Sequence, residues 1–250
     1  MAQILDSTKL RRELHPLAEI GMDVKNTSAY VIRRLKEIGI DAHRVGETYG
    51  VTGYIDSGAP GPVIALRADM DALPFEQNGK TVAIHACGHD GHMAMLLEAA
   101  SRLVGKIRRG KVKLIFQPAE EPITGAQALI KEGILDDVDI IIGAHVRPVQ
   151  DLKPGTLCPS VCHTSSGHVH VTIHGKSSHA ARPHLGVNAI YVATAIVNAV
   201  AQIHMNPENV WSVKPTQLRA DDGAFNVVPA TATLCFDFRG QTNELVKSLT

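Results

Sequence analysis

The sequence predicts an α/β protein: a catalytic-type domain with a mostly parallel sheet flanked by helices, followed by a smaller α+β domain. Three observations lead there. Between residues 63 and 146, strand-like and helix-like runs alternate in the order strand, helix, strand, helix, strand, and that order builds a parallel sheet through long crossovers. After about residue 150 the texture changes to alternating polar and apolar residues around one long apolar helix. Finally, 250 residues with 44% apolar and 20% charged side chains supply enough apolar material for one or two cores at roughly 150 residues per domain.

In chain order, helices are predicted at about 7–20 and 26–38, the second closed by Gly39, a residue type that tolerates the left-handed C-cap. "VTGYID" (51–56) is a strand, and "SGAPGP" after it is a turn. "VIALRADM" (63–70) has the apolar run of a buried strand. The helix at 91–104 places Met93, Leu96, Leu97, Ala100 and Leu103 on one face. Strand "KVKLIFQ" (111–117), helix "GAQALIKEG" (125–133) and strand "DIIIGAHV" (139–146) complete the series. The turn-rich "QDLKPGT" sets the expected boundary, with domains at 1–154 and 155–250. Beyond it come the alternating "SSGHVHVTIHG", a helix at about 187–204, and two strand-like runs in 224–240 around Pro229.

Composition excludes some functions. Lys+Arg and Asp+Glu are 25 each, so the basic excess of a nucleic-acid binder is missing. No window approaches the 18 uninterrupted apolar residues of a membrane span, and the charged start "MAQILDSTKLRRELHPLAEI" lacks a secretion signal's apolar stretch. Cysteines 87, 158, 162 and 235 form no small-disulfide-domain pattern, and the expected location is the cytoplasm.

Ligands of parallel sheets bind at the carboxyl ends of the strands, where loops and helix N-termini converge. The reactive residues fall there. Strand 63–70 leads into Asp69 and Asp71, strand 111–117 into Glu120 and Glu121, and strand 139–146 into His145. "HACGHDGH" (85–92) enters the helix between the first two strands and brings Cys87 and His89. Thiol, imidazole and carboxylate together suit zinc, manganese or cobalt. Two adjacent glutamates fit a division of labour, one holding metal and its neighbour taking a proton from water. Asp90 is expected to cap the following helix, with His85 and His92 in supporting roles. "CPSVCH" (158–163) has the look of half a zinc finger, but no second pair follows, so a loop is expected there.

"RADMDALP", "ACGHDGHMAMLLEAA", "QPAEE" and "GAHV" resemble the M20 metallopeptidase family, in its amidohydrolase branch of hippurate, N-acyl-amino-acid and auxin-conjugate hydrolases. "GKSSHAARPHLGVNAI" and "FNVVPATATLCFDFRG" are similar to the family's lid and dimerisation domain. The resemblance implies a two-metal hydrolase that cleaves the amide of N-acyl amino acids. It implies Cys87, His89, Glu121 and His145 as ligands of two divalent ions (Zn, Mn or Co), with Cys87 bridging. Glu120 matches the general base and Asp69 an aspartate that orients the ligands. His179 matches the lid histidine that stabilises the oxyanion, and Asn226 and Arg239 match positions that hold the substrate carboxylate. A homodimer through the lid is also implied. The family pattern continues past position 250 with a last histidine ligand, and it has a glycine-rich run where this chain has "PITGA". Two other readings compete: a catalytically incomplete protein that keeps partial metal binding and dimerisation, and a cysteine hydrolase using Cys87.

Overall fold

Pro16 ends the first helix early. In the computed structural model, which describes residues 4–159 and 164–249, α1 spans Ser7–Leu14 and gives way to a 3-10 turn at His15–Leu17, because proline cannot donate into a continuing α-helix. Cys162 and His163 of "CPSVCH" lie outside the described residues. The chain forms two compact units, Met1–Thr156 and Leu157–Thr250.

In the first unit, α2 (Lys25–Glu37), β1 (Ala42–Arg44), β2 (Val51–Asp56) and β3 (Val63–Asp69) are followed by the hairpin β4 (Leu73–Gln77) and β5 (Lys80–Ile84). Then come α3 (His89–Leu103), β6 (Lys111–Gln117), α4 (Gly125–Lys131) and β7 (Ile140–Gly143). The five-stranded sheet has the order β1-β2-β6-β3-β7. The predicted series β3, β6 and β7 is parallel, whereas β2 joins β6 antiparallel and β1 joins β2 antiparallel. The sheet is therefore mixed. The segment between β2 and β3 is too short for a helical crossover, so the chain reverses direction there, and the two neighbours of β6 run antiparallel to each other.

Residues alternate across this sheet. Ala68, Leu114 and Phe116 face α1, α2 and α3 in the main core, with Leu14, Val31, Leu35, Met93 and Leu97. Ala65 and Ile115 face the other side, against Leu129 of α4 and Ile134. Helices thus cover both faces, and the carboxyl ends of β3, β6 and β7 share one edge. β3 leads to β6 on one side and β6 leads back to β7 on the other, so this edge is a topological switch point.

The hairpin β4–β5 is absent from the sequence reading. Its turn is Asn78-Gly79, both at positive φ (52° and 72°), and Asn-Gly between alternating residues is a strong hairpin signal.

In the second unit, β8 (Ser165–His174), β9 (Ser178–His179), α5 (Ala189–Ala201), β10 (Trp211–Arg219), β11 (Val227–Val228), β12 (Thr231–Gly240) and α6 (Asn243–Ser248) follow in order. An antiparallel sheet β10-β12-β8 packs Ile173, Leu234, Phe236 and Phe238 against Ala189 and Ala193 of α5 and Val246 of α6. Asn188 caps α5 by accepting the Ile190 N–H, which sets its start at Ala189, and the helix ends at Ala201, short of the expected 204. Among the described residues no helix is long and apolar enough to cross a membrane.

Candidate metal centre

The centre starts with Gly88. It has φ +83° and a Cβ there would lie 2.6 Å from Val146 Cγ2, so only glycine allows both the turn and the close approach. Gly88 is the N-cap of α3, and the helix begins at His89, two residues before its predicted start. Asp90 is not the cap. Its carboxylate lies in the first turn, takes hydrogen bonds from Gly91 N–H (2.8 Å) and Arg11 (3.2 Å), and meets His15 Nδ1 at 2.7 Å. The left-handed glycine already supplies the helix entry, which leaves Asp90 to tether α1.

His89 is fully buried. Its Nδ1–H donates to the Asp71 carbonyl at 2.8 Å, which fixes the tautomer and leaves the Nε2 lone pair directed inward. That Nε2 has no hydrogen-bond partner, and neither has the buried Oε1 of Glu121; the two atoms are 3.8 Å apart. Ligand bonds of about 2.0–2.2 Å from imidazole nitrogen and carboxylate oxygen let one ion span that gap. Cys87, His89 and Glu121 bring ligand atoms within 4.8 Å of one another. His145 repeats the pattern, with Nδ1–H donated to the Val146 carbonyl (2.6 Å) and Nε2 at 3.5 Å from Cys87 Sγ. Two orphaned polar atoms in a buried position are costly unless something satisfies them, and the donor set fits a divalent cation.

Asp69, His89, His92 and His145 form an overlapping group, but His92 is already engaged at both nitrogens. Its Nε2 accepts the Val146 N–H at 3.0 Å, and its Nδ1–H donates to Asp69. Asp69 also takes a hydrogen bond from Arg67 (2.8 Å). Burial opposes ionisation of Asp69, but the hydrogen bond from His92 and the charges of Arg67 and His89 outweigh it and hold the carboxyl well below its ordinary range. Asp69 and His92 thus act as a strut beneath His145. His85 is buried with neither nitrogen partnered, and its ring sits 6.3 Å from that of His15.

Asp71 is the functional side chain that the sequence reading left without a role. Fully buried, its two oxygens accept the backbone N–H groups of Glu120 (2.9 Å) and Glu121 (3.2 Å). The carboxylate therefore sets the loop that presents both glutamates. The available signal was the Asp-x-Asp spacing at the strand end, which places Asp69 and Asp71 at one edge. Glu120 Oε2 approaches His89 Nε2 to 3.8 Å and its side chain is 39% exposed, so it reaches both the centre and solvent. The loop is tight, with Ala119 (φ 51°) and Ile123 (φ 59°) in the left-handed region.

Burial pushes the Cys87 thiol up to about 12, helped by the negative charges of Glu121, Glu120 and Asp69. At neutral pH it is protonated unless a cation displaces the proton, the opposite of what a nucleophilic cysteine requires. For His89, burial lowers the pKa but the hydrogen bonds to Asp71 and the charge of Asp69 outweigh it, and the net direction is upward.

The remaining candidate residues lie in the second unit. His179 is exposed on β9 and pairs with Val227 of β11, while the Asn226 carbonyl accepts the Ala180 N–H at 2.8 Å; the structure brings these two residues to one corner. Arg239 is exposed on β12, where it is held by both carboxylate oxygens of Asp237 (2.8 and 3.0 Å).

Residues 65–243 match the family model described as Peptidase family M20/M25/M40. The chain belongs to the M20 family. This M20 chain is 34% identical over 252 residues to a hippurate hydrolase of Campylobacter jejuni, covering 96% of the chain and 65% of that protein. It is 37% identical over 243 residues to an N-acetyl-L-cysteine deacetylase of Bacillus subtilis, covering 90% of the chain and 57% of that protein. It thus spans between about half and two thirds of the length of such relatives. Among solved structures, a protein from methicillin-resistant Staphylococcus aureus described as an aminohydrolase superposes with a TM-score of 0.78 at 32% identity, covering 97% of this chain and 68% of that one. A Bacillus subtilis M20 peptidase described as binding a dinuclear metal centre gives 0.73 at 29% identity, covering 97% and 66%. Both likenesses agree with the mixed α/β architecture of this M20 chain.

Proposed function

We propose that the protein hydrolyses the amide bond of N-acyl amino acids with the help of two divalent metal ions. The observation that carries this reading is the orphaned pair His89 Nε2 and Glu121 Oε1, 3.8 Å apart, with Cys87 and the Nε2 of His145 beside it. The relatives with named amidohydrolase activities support the substrate class. Cys87, His89, Glu121 and His145 would hold the ions.

Divalent ions bound there supply Lewis acidity at the amide carbonyl and acidify water. Glu120, backbone-anchored by Asp71, takes the proton of the attacking water and delivers it to the departing amine nitrogen. Asp69 and His92 keep His145 oriented. His179 donates a hydrogen bond to the developing oxyanion. Asn226 and Arg239, whose planar fork suits a carboxylate and which would exchange Asp237 for the substrate, hold the substrate's free carboxylate. The second unit serves as lid and as the contact of a homodimer, a role that its exposed Leu185, Val187 and Tyr191 support. Cys87 and Cys235 form no disulfide, and the reducing cytoplasm is the setting we propose.

The test is amino-acid release from a panel of N-acyl amino acids. Chelator-stripped protein receives Zn²⁺, Mn²⁺ or Co²⁺ and is run beside Glu120→Ala. Turnover that returns with metal and is missing in the variant supports the proposal; no turnover with any metal favours a catalytically incomplete chain.

A further inference from the structure

Away from this centre, titratable side chains gather on the second face of the β8-β12-β10 sheet. Val169, Val171 and Ile173 of β8 point into the core of the second unit, so period-two alternation sends His168, His170 and His174 to the opposite face, where all three are exposed. Register sets His170 opposite Cys235 and His168 opposite Asp237. The helices α5 and α6 both pack on the core side, which leaves the three histidines exposed.

One distance has the scale of a metal site. Cys235 Sγ lies 3.9 Å from His170 Nε2. Tetrahedral zinc, with bonds of 2.0–2.1 Å to nitrogen and 2.3 Å to sulfur, separates such atoms by about 3.5 Å. The His168 and His170 rings are 5.3 Å apart, edge to face, and two imidazole nitrogens on one tetrahedral ion sit about 3.3 Å apart. Both histidines are exposed, and the site requires the His168 ring to rotate toward the Cys235–His170 pair. Asp237 is occupied by Arg239, which leaves a fourth position to water.

We propose that His168, His170 and Cys235 form a second transition-metal site, separate from the Cys87–His89 centre. It would take a borderline ion such as Zn²⁺, because imidazole and thiolate select such ions over Mg²⁺ or Ca²⁺. Cys235 itself is buried, with its Sγ at 3.9 Å from His170 Nε2.

The test uses the full chain, stripped of metal. In a Cys87→Ser background, Co²⁺ addition is expected to give a thiolate-to-cobalt charge-transfer band that disappears in Cys87→Ser/Cys235→Ser and in Cys87→Ser/His170→Ala. In the otherwise native chain, His168→Ala/His170→Ala is expected to hold one Zn²⁺ per chain fewer than the parent by elemental analysis, with an unchanged circular-dichroism spectrum. No band in Cys87→Ser, a band that survives loss of Cys235, or equal zinc content in parent and double variant would each overturn the proposal. These readouts do not depend on amide hydrolysis, so the two proposals fail separately.

Discussion

Asp71→Asn tests how the glutamate loop is held. The native carboxylate, fully buried, accepts the N–H groups of Glu120 at 2.9 Å and Glu121 at 3.2 Å. The amide is nearly isosteric and keeps one acceptor, but its NH₂ then faces the second N–H, donor against donor. One charge-assisted hydrogen bond, worth about 1.5–3 kcal/mol, is lost and one N–H is stranded. We expect the first unit to lose about 2–4 kcal/mol, and at about 2–4 °C per kcal/mol for a unit of this size its thermal midpoint should fall by on the order of 5–15 °C. The displaced loop also carries Glu121, and disturbing such supporting contacts costs about 10–100-fold in metal affinity. Thermal unfolding followed by circular dichroism and Zn²⁺ calorimetry read both quantities. An Asp71→Asn protein with an unchanged midpoint and unchanged zinc affinity would refute the reasoning.

Other outcomes follow from the same geometry. Gly88→Ala adds a Cβ 2.6 Å from Val146 Cγ2 at φ +83°; left-handed strain and overpacking together should cost on the order of 2–4 kcal/mol, read by urea unfolding. Because the Cys87 thiol sits at about 12, metal must displace its proton, so zinc affinity should rise with pH and calorimetry in buffers of different ionisation enthalpy should register proton release. The same protonated thiol should make Cys87 in metal-free protein react with iodoacetamide at pH 7 far more slowly than a free thiol, and fast alkylation would sink the assignment. Hydrogen bonds from Ser7 and Arg102 hold Glu98 at about 2, below its ordinary 4.5. A depressed folded pKa stabilises above the unfolded value and is lost as pH falls through the folded one. The stability lost between pH 4.5 and 2 should therefore be smaller in Glu98→Gln, as followed by unfolding midpoints across that range.

Much of the centre was legible because its signals are short-range. "ACGHD" and "PAEE" each place reactive groups within a few residues, and apolar runs mark the strands that end beside them. The Asn-Gly turn of β4–β5 was equally legible and went unread. Asp71 was harder to assign: its carboxylate meets loop N–H groups 49 and 50 residues away, and no local pattern reports that meeting. His92 and His89 look alike in "HACGHDGH", yet hydrogen bonds to Asp69 and Val146 engage both nitrogens of one ring and leave Nε2 of the other orphaned.

By itself the sequence determined which segments form helices and strands, since periodicity and turn chemistry act between neighbours, and which reactive residues reach the carboxyl edge of a parallel core. Only the tertiary structure decided the rest. β2 lies antiparallel beside β6, Asp90 ties α1 rather than capping α3, and an aspartate sets the glutamate loop. Each of these depends on contacts between segments far apart in the chain, where packing and the need to satisfy buried polar groups select one partner among many.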